Sequence, residues 1–161
     1  MHARRILEVL LAHEVRFVVI GGVAAVVHGS PFATEDIDIT PESSATNLSR
    51  LSDALRSLEA RVRTQGVEDG LPFEHDAESL GAVGVWNLTT PAGELDISFV
   101  PNGTTGFDDL VNDSAQLTAF GLVIPVASLA DVIRSKQAAN RPQDQRVLPV
   151  LREILASRYH R

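Results

Sequence analysis

The sequence predicts an α/β (α+β) fold, in which a small mixed β-sheet packs against helices. Residues 16–20 form a β-branched run typical of a buried strand. Residues 36–40 alternate acidic and apolar side chains with the period of a strand. The segments around these two strands carry apolar residues at helical spacing instead. Helices and strands therefore alternate along a chain of 161 residues, a length that predicts a single domain over residues 1–161.

The first half of the chain contains five predicted elements. A helix is expected at 3–13, a strand at 16–20 that ends at Gly21-Gly22, and a short helix at 23–28. Residues 36–40 follow as the second strand. Ser43 or Ser44 then caps a helix that runs to about residue 60, because leucines recur along one face of that segment.

The second half begins with a short strand at 61–65 and a polar loop at 68–79 of the kind that lines a substrate cleft. Residues 83–89 and 94–100 flank a turn signal at 90–93 and are expected to form a hairpin. One or two strands follow at 115–126. Helices are expected at 128–140 and at 142–157, the second with Pro142 at its tolerated first position.

Composition limits the classes of function. Hydrophobic residues make up 44% and charged residues 22% of the chain, and no apolar run approaches the length of a membrane span. No cysteine is present, so thiolate chemistry is excluded, and a cytoplasmic location is expected. The net charge of −7 argues against a broad nucleic-acid surface. Basic residues nevertheless collect near the C-terminus and could form one basic face: Arg134, Lys136, Arg141, Arg146, Arg152, Arg158 and Arg161.

A glycine turn and three acids form the candidate site. In the second predicted strand, Asp36 and Asp38 project from one face, where two carboxylates can share a divalent cation. Asp96 lies between apolar residues on the predicted hairpin and is the candidate third ligand, with Glu94 as its main competitor. The Gly21-Gly22 turn between a strand and a helix directs backbone N–H groups at one point, which suits phosphate.

These motifs resemble the nucleotidyltransferase superfamily related to DNA polymerase beta. The matching pattern is an apolar strand with Gly21-Gly22, a string that ends at Gly29-Ser30, then Thr34 to Asp38, and finally the apolar-flanked Asp96. The order and spacing are similar to those of small bacterial members, namely the toxin-type and the aminoglycoside-type nucleotidyltransferases. The chain departs from toxin-like relatives at Phe32, where they often carry an arginine.

The resemblance implies transfer of a nucleoside monophosphate from an NTP to an acceptor. It implies Mg²⁺ (or Mn²⁺) at the catalytic acids Asp36, Asp38 and Asp96, with a second ion shared by Asp96, which is also the general base or its positioner. The residues expected to bind the nucleotide are Gly21, Gly22, Ser30, Thr34, Lys136 and Arg141. Related enzymes carry a similar lysine and Arg-x-x-Asp, in which Asp144 would have a structural role.

The acceptor is left open by the sequence. An RNA or tRNA end fits a toxin-like protein with an antitoxin partner and is the first expectation. A small hydroxylated antibiotic is the alternative, because aminoglycosides are polycations and the chain is acidic. A protein side chain is a further candidate acceptor. A non-catalytic nucleotide-binding module is the alternative in which no transfer takes place. His28 is interpreted as a packing residue, and Trp86 as a sheet residue with base stacking as its alternative role.

Overall fold

A computed structural model describes residues 2–159 of the chain. The helices within this range are α1 (Ala3–Ala12), α2 (Gly21–Val27), α3 (Ala45–Ser57), α4 (Ala77–Gly81), α5 (Phe107–Asn112), α6 (Leu129–Ala139) and α7 (Pro142–Arg158). The strands are β1 (Phe17–Ile20), β2 (Asp36–Pro41), β3 (Arg61–Thr64), β4 (Val67–Leu71), β5 (Val85–Thr90), β6 (Gly93–Ser98), β7 (Ala115–Ala119) and β8 (Leu122–Val126).

The strands form one mixed sheet in the order β4-β3-β5-β6-β2-β1-β8-β7. Strand β2 pairs antiparallel with β1 and parallel with β6, so β2 and β6 run side by side in the middle of the sheet. Strand β1 pairs parallel with β8. The predicted class, a mixed sheet with packed helices, is confirmed.

The apolar positions of the central strands form the core. Ile37 and Ile39 of β2 and Leu95 and Ile97 of β6 are all fully buried. Because side chains alternate across a strand, the acids between them face the opposite side of the sheet. Helix α1 contacts β2, β6 and β8, while α2 contacts β1 and β2 and also packs against α6. The catalytic candidates therefore project from a sheet whose other face is anchored in the core.

Most predicted elements are found close to their expected bounds, but the prediction for one segment is wrong. The expected polar loop at 68–79 contains strand β4 and helix α4. Strand β4 forms because β3 supplies an antiparallel partner, which a local reading of its polar sequence cannot detect. Asp76 and Ser79 cap α4 reciprocally. Helix α5 has no counterpart among the predicted elements. No helix within residues 2–159 is both long and apolar enough to cross a membrane.

Candidate active site

The two central parallel strands bring the predicted acids together. In their register Asp38 is the partner of Asp96, and Asp36 is the partner of Glu94. All four residues are partly exposed, whereas Ile37 and Leu95, which lie between them, are buried. The four carboxylates therefore share one face of the sheet, as the alternation of the sequence predicts for Asp36 and Asp38.

Both glycines of the turn are explained by close neighbours. Gly21 has a φ of +67°, and a Cβ at this position would lie 2.8 Å from Cγ of Asp38. A Cβ on Gly22 would lie 2.5 Å from the Thr34 hydroxyl oxygen. The turn thus lets the start of α2 approach the β2 acids more closely than any other residue type would allow.

A cleft of about 650 Å³ opens at this point of the fold. This volume is in the range of small-molecule and cofactor sites. The cleft is lined by every residue that the sequence singled out as catalytic or nucleotide-binding: Asp36, Asp38, Asp96, Gly21, Gly22, Ser30, Thr34, Lys136 and Arg141. Their roles remain predictions, but they line one cleft.

Mutual repulsion marks the acidic side of the cleft. Burial, together with the charges of Asp96 and Asp36, raises the pKa of Asp38 to about 7, although Lys136 and Arg141 oppose the shift. Burial also raises the pKa of Asp96 above its usual value, against the influence of Arg63. Like charges held this close in a partly buried cleft favour binding of a cation.

Arg63, on β3, is a site residue that the sequence reasoning missed. Its Nη2 lies 2.7 Å from Oδ1 of Asp96, and its Nε lies 3.5 Å from Oε1 of Glu94. The same Nη2 also donates a hydrogen bond to the carbonyl oxygen of Leu88 at 3.1 Å. The only local signal for this residue is that basic side chains recur at alternate positions of a short polar strand. Its pairing with the acids depends on the position of β3 beside β5, which no motif reveals.

The basic side of the cleft is organised around one buried acid. Asp144 is fully buried and accepts hydrogen bonds from the Arg141 backbone N–H at 3.1 Å and from Nε of Arg141 at 2.8 Å. Nζ of Lys136 lies 3.6 Å from Oδ1 of Asp144. Burial pushes the pKa of Asp144 up, but the Arg141 hydrogen bonds and both positive charges hold it below its usual value. This contact geometry supports the structural role expected for Asp144.

The two hydroxyl residues among the predicted nucleotide ligands make local contacts. The hydroxyl oxygen of Ser30, a nearly buried residue, accepts a hydrogen bond from the Phe32 backbone N–H at 3.3 Å. The Thr34 hydroxyl lies 3.5 Å from the carbonyl oxygen of Asp36. Phe32 itself is 47% exposed and lines the cleft. An apolar ring therefore lies at this point of the cleft.

Two residues that the sequence left open have packing roles. One ring nitrogen of His28 lies 2.7 Å from the Ala127 carbonyl oxygen, and the other lies 3.2 Å from Nη2 of Arg158. Nε1 of Trp86 donates to the Leu80 carbonyl oxygen at 3.0 Å, and its ring stacks on Phe73. Neither His28 nor Trp86 is among the cleft residues, so the packing interpretation fits both.

The donor set fits a hard divalent cation at two of the acids. No N–H group and no serine, threonine or tyrosine hydroxyl among residues 2–159 donates to the carboxylates of Asp36 or Asp38. Asp36 contacts only other carboxyl groups there, those of Glu94 and Asp96, and a shared cation suits such a group of oxygens. Asp96 differs, because one of its oxygens is bound to Arg63. Within the described range, no three His, Asp or Glu side chains are arranged to hold one ion.

Comparisons with known proteins identify the fold. No protein-family model matches the chain, and no curated protein matches its sequence. The lincosamide antibiotic adenylyltransferase LnuA, solved with lincomycin bound, superposes with a TM-score of 0.64 at 16% identity, over 95% of this chain and 96% of its own. The antibiotic-resistance factor ANT(2'')-Ia superposes with a TM-score of 0.57 at 15% identity, over 98% and 91% of the two chains.

A second structure of ANT(2'')-Ia, in complex with adenylyl-2''-tobramycin, gives a TM-score of 0.55 at 16% identity, over 98% of this chain and 96% of its own. The likeness extends over almost the whole length of each chain, while the sequences have diverged widely. The order and spacing of the sequence motifs predict the fold of this superfamily, and the structural likeness confirms that fold. The chain therefore has the fold of the nucleotidyltransferases.

Proposed function

We propose that the protein is a metal-dependent nucleotidyltransferase that moves a nucleoside monophosphate from an NTP to the hydroxyl group of a small acceptor. The observation that carries the proposal is one cleft that contains Asp36, Asp38 and Asp96 beside the Gly21-Gly22 turn, with Lys136 and Arg141 on its basic side. An acidic side for a cation and an acceptor, next to a basic side for phosphates, is the arrangement that nucleotidyl transfer needs.

Each group of cleft residues has its own role in the proposed reaction. Asp36 and Asp38 would hold a divalent cation, and this cation, when bound, would neutralise negative charge on the triphosphate. The acceptor oxygen attacks the α-phosphorus, and the bond to the bridging oxygen breaks, so that pyrophosphate leaves with the electron pair. Asp96 accepts the hydroxyl proton. Lys136 binds the leaving pyrophosphate as a point charge, and Arg141 reaches it from the connection between α6 and α7.

Charge supports a small acceptor over the RNA end expected first. Arg134 is engaged with Asp109 and Asp131, and Lys136 and Arg141 line the cleft, where the proposal assigns them to the NTP rather than to an RNA backbone. Arg161 lies outside the described residues. The net charge of −7 disfavours a polyanionic partner and favours a cationic or neutral one. The solved relatives LnuA and ANT(2'')-Ia also carry small antibiotics or their adenylyl product.

The experiment is a transfer assay with defined arms. Purified protein is incubated with each α-labelled NTP and Mg²⁺, and with one of three acceptors: an aminoglycoside, a lincosamide or total tRNA. Labelled small molecule together with released pyrophosphate is the expected result, and it should disappear in Asp36→Asn. The matched control is Asp53→Asn, which changes an acid whose side chain is 61% exposed and whose single ion pair within residues 2–159 is with Arg56.

The acceptor arms separate the alternatives. Label transferred to tRNA alone would replace the small acceptor with RNA and restore a toxin-type function. NTP binding without transfer to any acceptor would identify a nucleotide-binding module. Unchanged transfer in Asp36→Asn would contradict the catalytic assignment.

A further inference from the structure

Four carboxylates lie side by side on β2 and β6, in two pairs that face each other across the strands. Asp36 stands beside Glu94, and Asp38 stands beside Asp96. Like charges at directly opposed positions of neighbouring strands destabilise a sheet unless a cation compensates them. The distribution of positive charge around this group therefore decides how many metal ions it can bind.

The chain supplies a directly bound cation to the β6 pair only. The guanidinium of Arg63 spans Asp96, at 2.7 Å, and Glu94, at 3.5 Å. On β2, no N–H group and no serine, threonine or tyrosine hydroxyl of the described residues donates to the carboxylates of Asp36 or Asp38. The Asp36 carboxylate instead lies against the carboxyl groups of Glu94 and Asp96, a contact that raises the pKa of both. Lys136 and Arg141 act on Asp38 through their charge but are bonded to Asp144.

Arg63 is held in place by the architecture of the sheet. Strand β3 pairs with β5 through Val62 and Leu88, and Asn87 of β5 is the partner of Asp96. The hydrogen bond from Arg63 to the Leu88 carbonyl fixes the guanidinium over this strand, and only 32% of the side chain is exposed. A planar guanidinium held at two points is a preorganised partner for a carboxylate.

We infer that Arg63 takes the place of a second divalent cation in this enzyme. Asp36 and Asp38 alone hold the metal ion, while Arg63 neutralises and orients Asp96 as a positioning residue. With Oδ1 of Asp96 bound to Arg63, Oδ2 is the oxygen left to accept the proton of the acceptor hydroxyl. This inference rests on the proposed nucleotidyl transfer and specifies how its cations are distributed.

The test counts bound metal ions rather than product. The protein is mixed with an equimolar α,β-methylene NTP analogue, which cannot be cleaved at the reacting bond, and titrated with Mn²⁺ while free Mn²⁺ is measured by electron paramagnetic resonance. The wild-type complex should bind one Mn²⁺. Arg63→Met, which removes the charge but keeps a long side chain, should bind two, with affinity for the second ion raised about tenfold or more. Arg63→Lys should keep the count at one.

A matched control is available on the same strand. Arg61 donates to the Gly70 carbonyl oxygen at 3.2 Å and forms no ion pair with the β2 and β6 acids among the described residues, so Arg61→Met should leave the count at one. As an independent readout, Mn²⁺ with the analogue should raise the melting temperature of Arg63→Met more than that of the wild type. In the transfer assay, Arg63→Met should lower kcat with little change in KM for the NTP.

Each outcome decides the inference. Two Mn²⁺ ions in the wild-type complex overturn it, and so does a count that stays at one in a folded Arg63→Met. The wild-type count alone is decisive if Arg63→Met fails to fold. Absence of any Mn²⁺-dependent binding of the analogue to the wild type contradicts the proposed function itself, and this inference falls with it.

Discussion

Replacement of Asp144 by asparagine tests how the basic side of the cleft is held together. The substitution keeps the size of the side chain and an oxygen that can accept from the Arg141 backbone N–H. It removes the negative charge that Arg141 and Lys136 share. Since Asp144 is fully buried and only 12% of the Lys136 side chain is exposed, the lysine cannot readily regain water.

The expected loss in the free energy of unfolding follows from this geometry. Breaking a buried ion pair by removing one partner costs about 3–5 kcal/mol. The Arg141 side chain is 59% exposed and can rehydrate, which reduces the expected loss to about 2–3 kcal/mol. For a chain of this size the melting temperature should then fall by about 4–12 °C.

The pH dependence supplies a second check. The pKa of Asp144 is lowered in the folded state, so its carboxylate stabilises the fold at pH values above its unfolded pKa of about 3.9. That contribution is lost as the pH falls through the lower folded pKa, while the asparagine variant has no such group. The difference in stability between the two proteins should therefore be full at pH 7 and shrink below about pH 4.

Urea unfolding of the wild type and of Asp144→Asn, at pH 7 and again below about pH 4, measures these differences in stability. Asp53→Asn, at an exposed pair, is the control and should change the free energy of unfolding by less than about 1 kcal/mol. A loss no larger than this control at pH 7 would refute the reasoning. So would a difference that stays constant with acidification, because the stabilisation would then not come from the charge.

Two further predictions concern the nucleotide side of the cleft. Lys136→Ala should weaken NTP binding roughly ten- to a hundredfold, because one charge-assisted contact to phosphate is lost, while the protein stays folded. Isothermal titration calorimetry measures the affinity. An unchanged affinity would mean that the lysine is only a helix-end cation. Gly21→Ala should impair both folding stability and nucleotide binding, because the new methyl group meets Asp38. Gly66→Ala, at a similar φ of +83° with nothing within 4 Å, should cost only the backbone strain of about 1–2 kcal/mol, so equal losses in the two variants would contradict the steric argument.

The parts of the site that depend on local pattern can be predicted from the sequence. Period-two alternation places Asp36 and Asp38 on one face, and the same argument extends to Asp96 because its neighbours are buried apolar residues. The glycine turn is predictable because both glycines directly follow a buried strand, and in the structure they form the first turn of α2. The close neighbour that requires each glycine, Asp38 for Gly21 and Thr34 for Gly22, is visible only in three dimensions.

The parts that escape prediction depend on pairing between distant strands. Arg63 meets Asp96, thirty-three positions later in the chain, only because β3 pairs with β5 and β5 pairs with β6. Strand β4 is predicted as loop for the same reason, since its polar residues acquire strand structure from β3. Local propensity carries no information on such partners.

The last prediction concerns the carboxylates of the cleft. It compares the stability of the metal-free protein with the stabilisation that metal and NTP produce. Asp38 is partly buried beside Asp36 and Asp96, and no hydrogen-bond donor of residues 2–159 compensates its carboxylate. Such an arrangement raises the free energy of the metal-free fold and favours binding of a cation. Asp38→Asn should therefore stabilise the protein in a chelator by about 1–2 kcal/mol, while it removes the rise in melting temperature that Mg²⁺ and NTP produce in the wild type. Thermal unfolding with and without metal and NTP measures both effects, with Asp53→Asn as the neutral comparison. A less stable Asp38→Asn in chelator would mean that the aspartate carries a structural contact, and the case for a cation site at β2 would be lost.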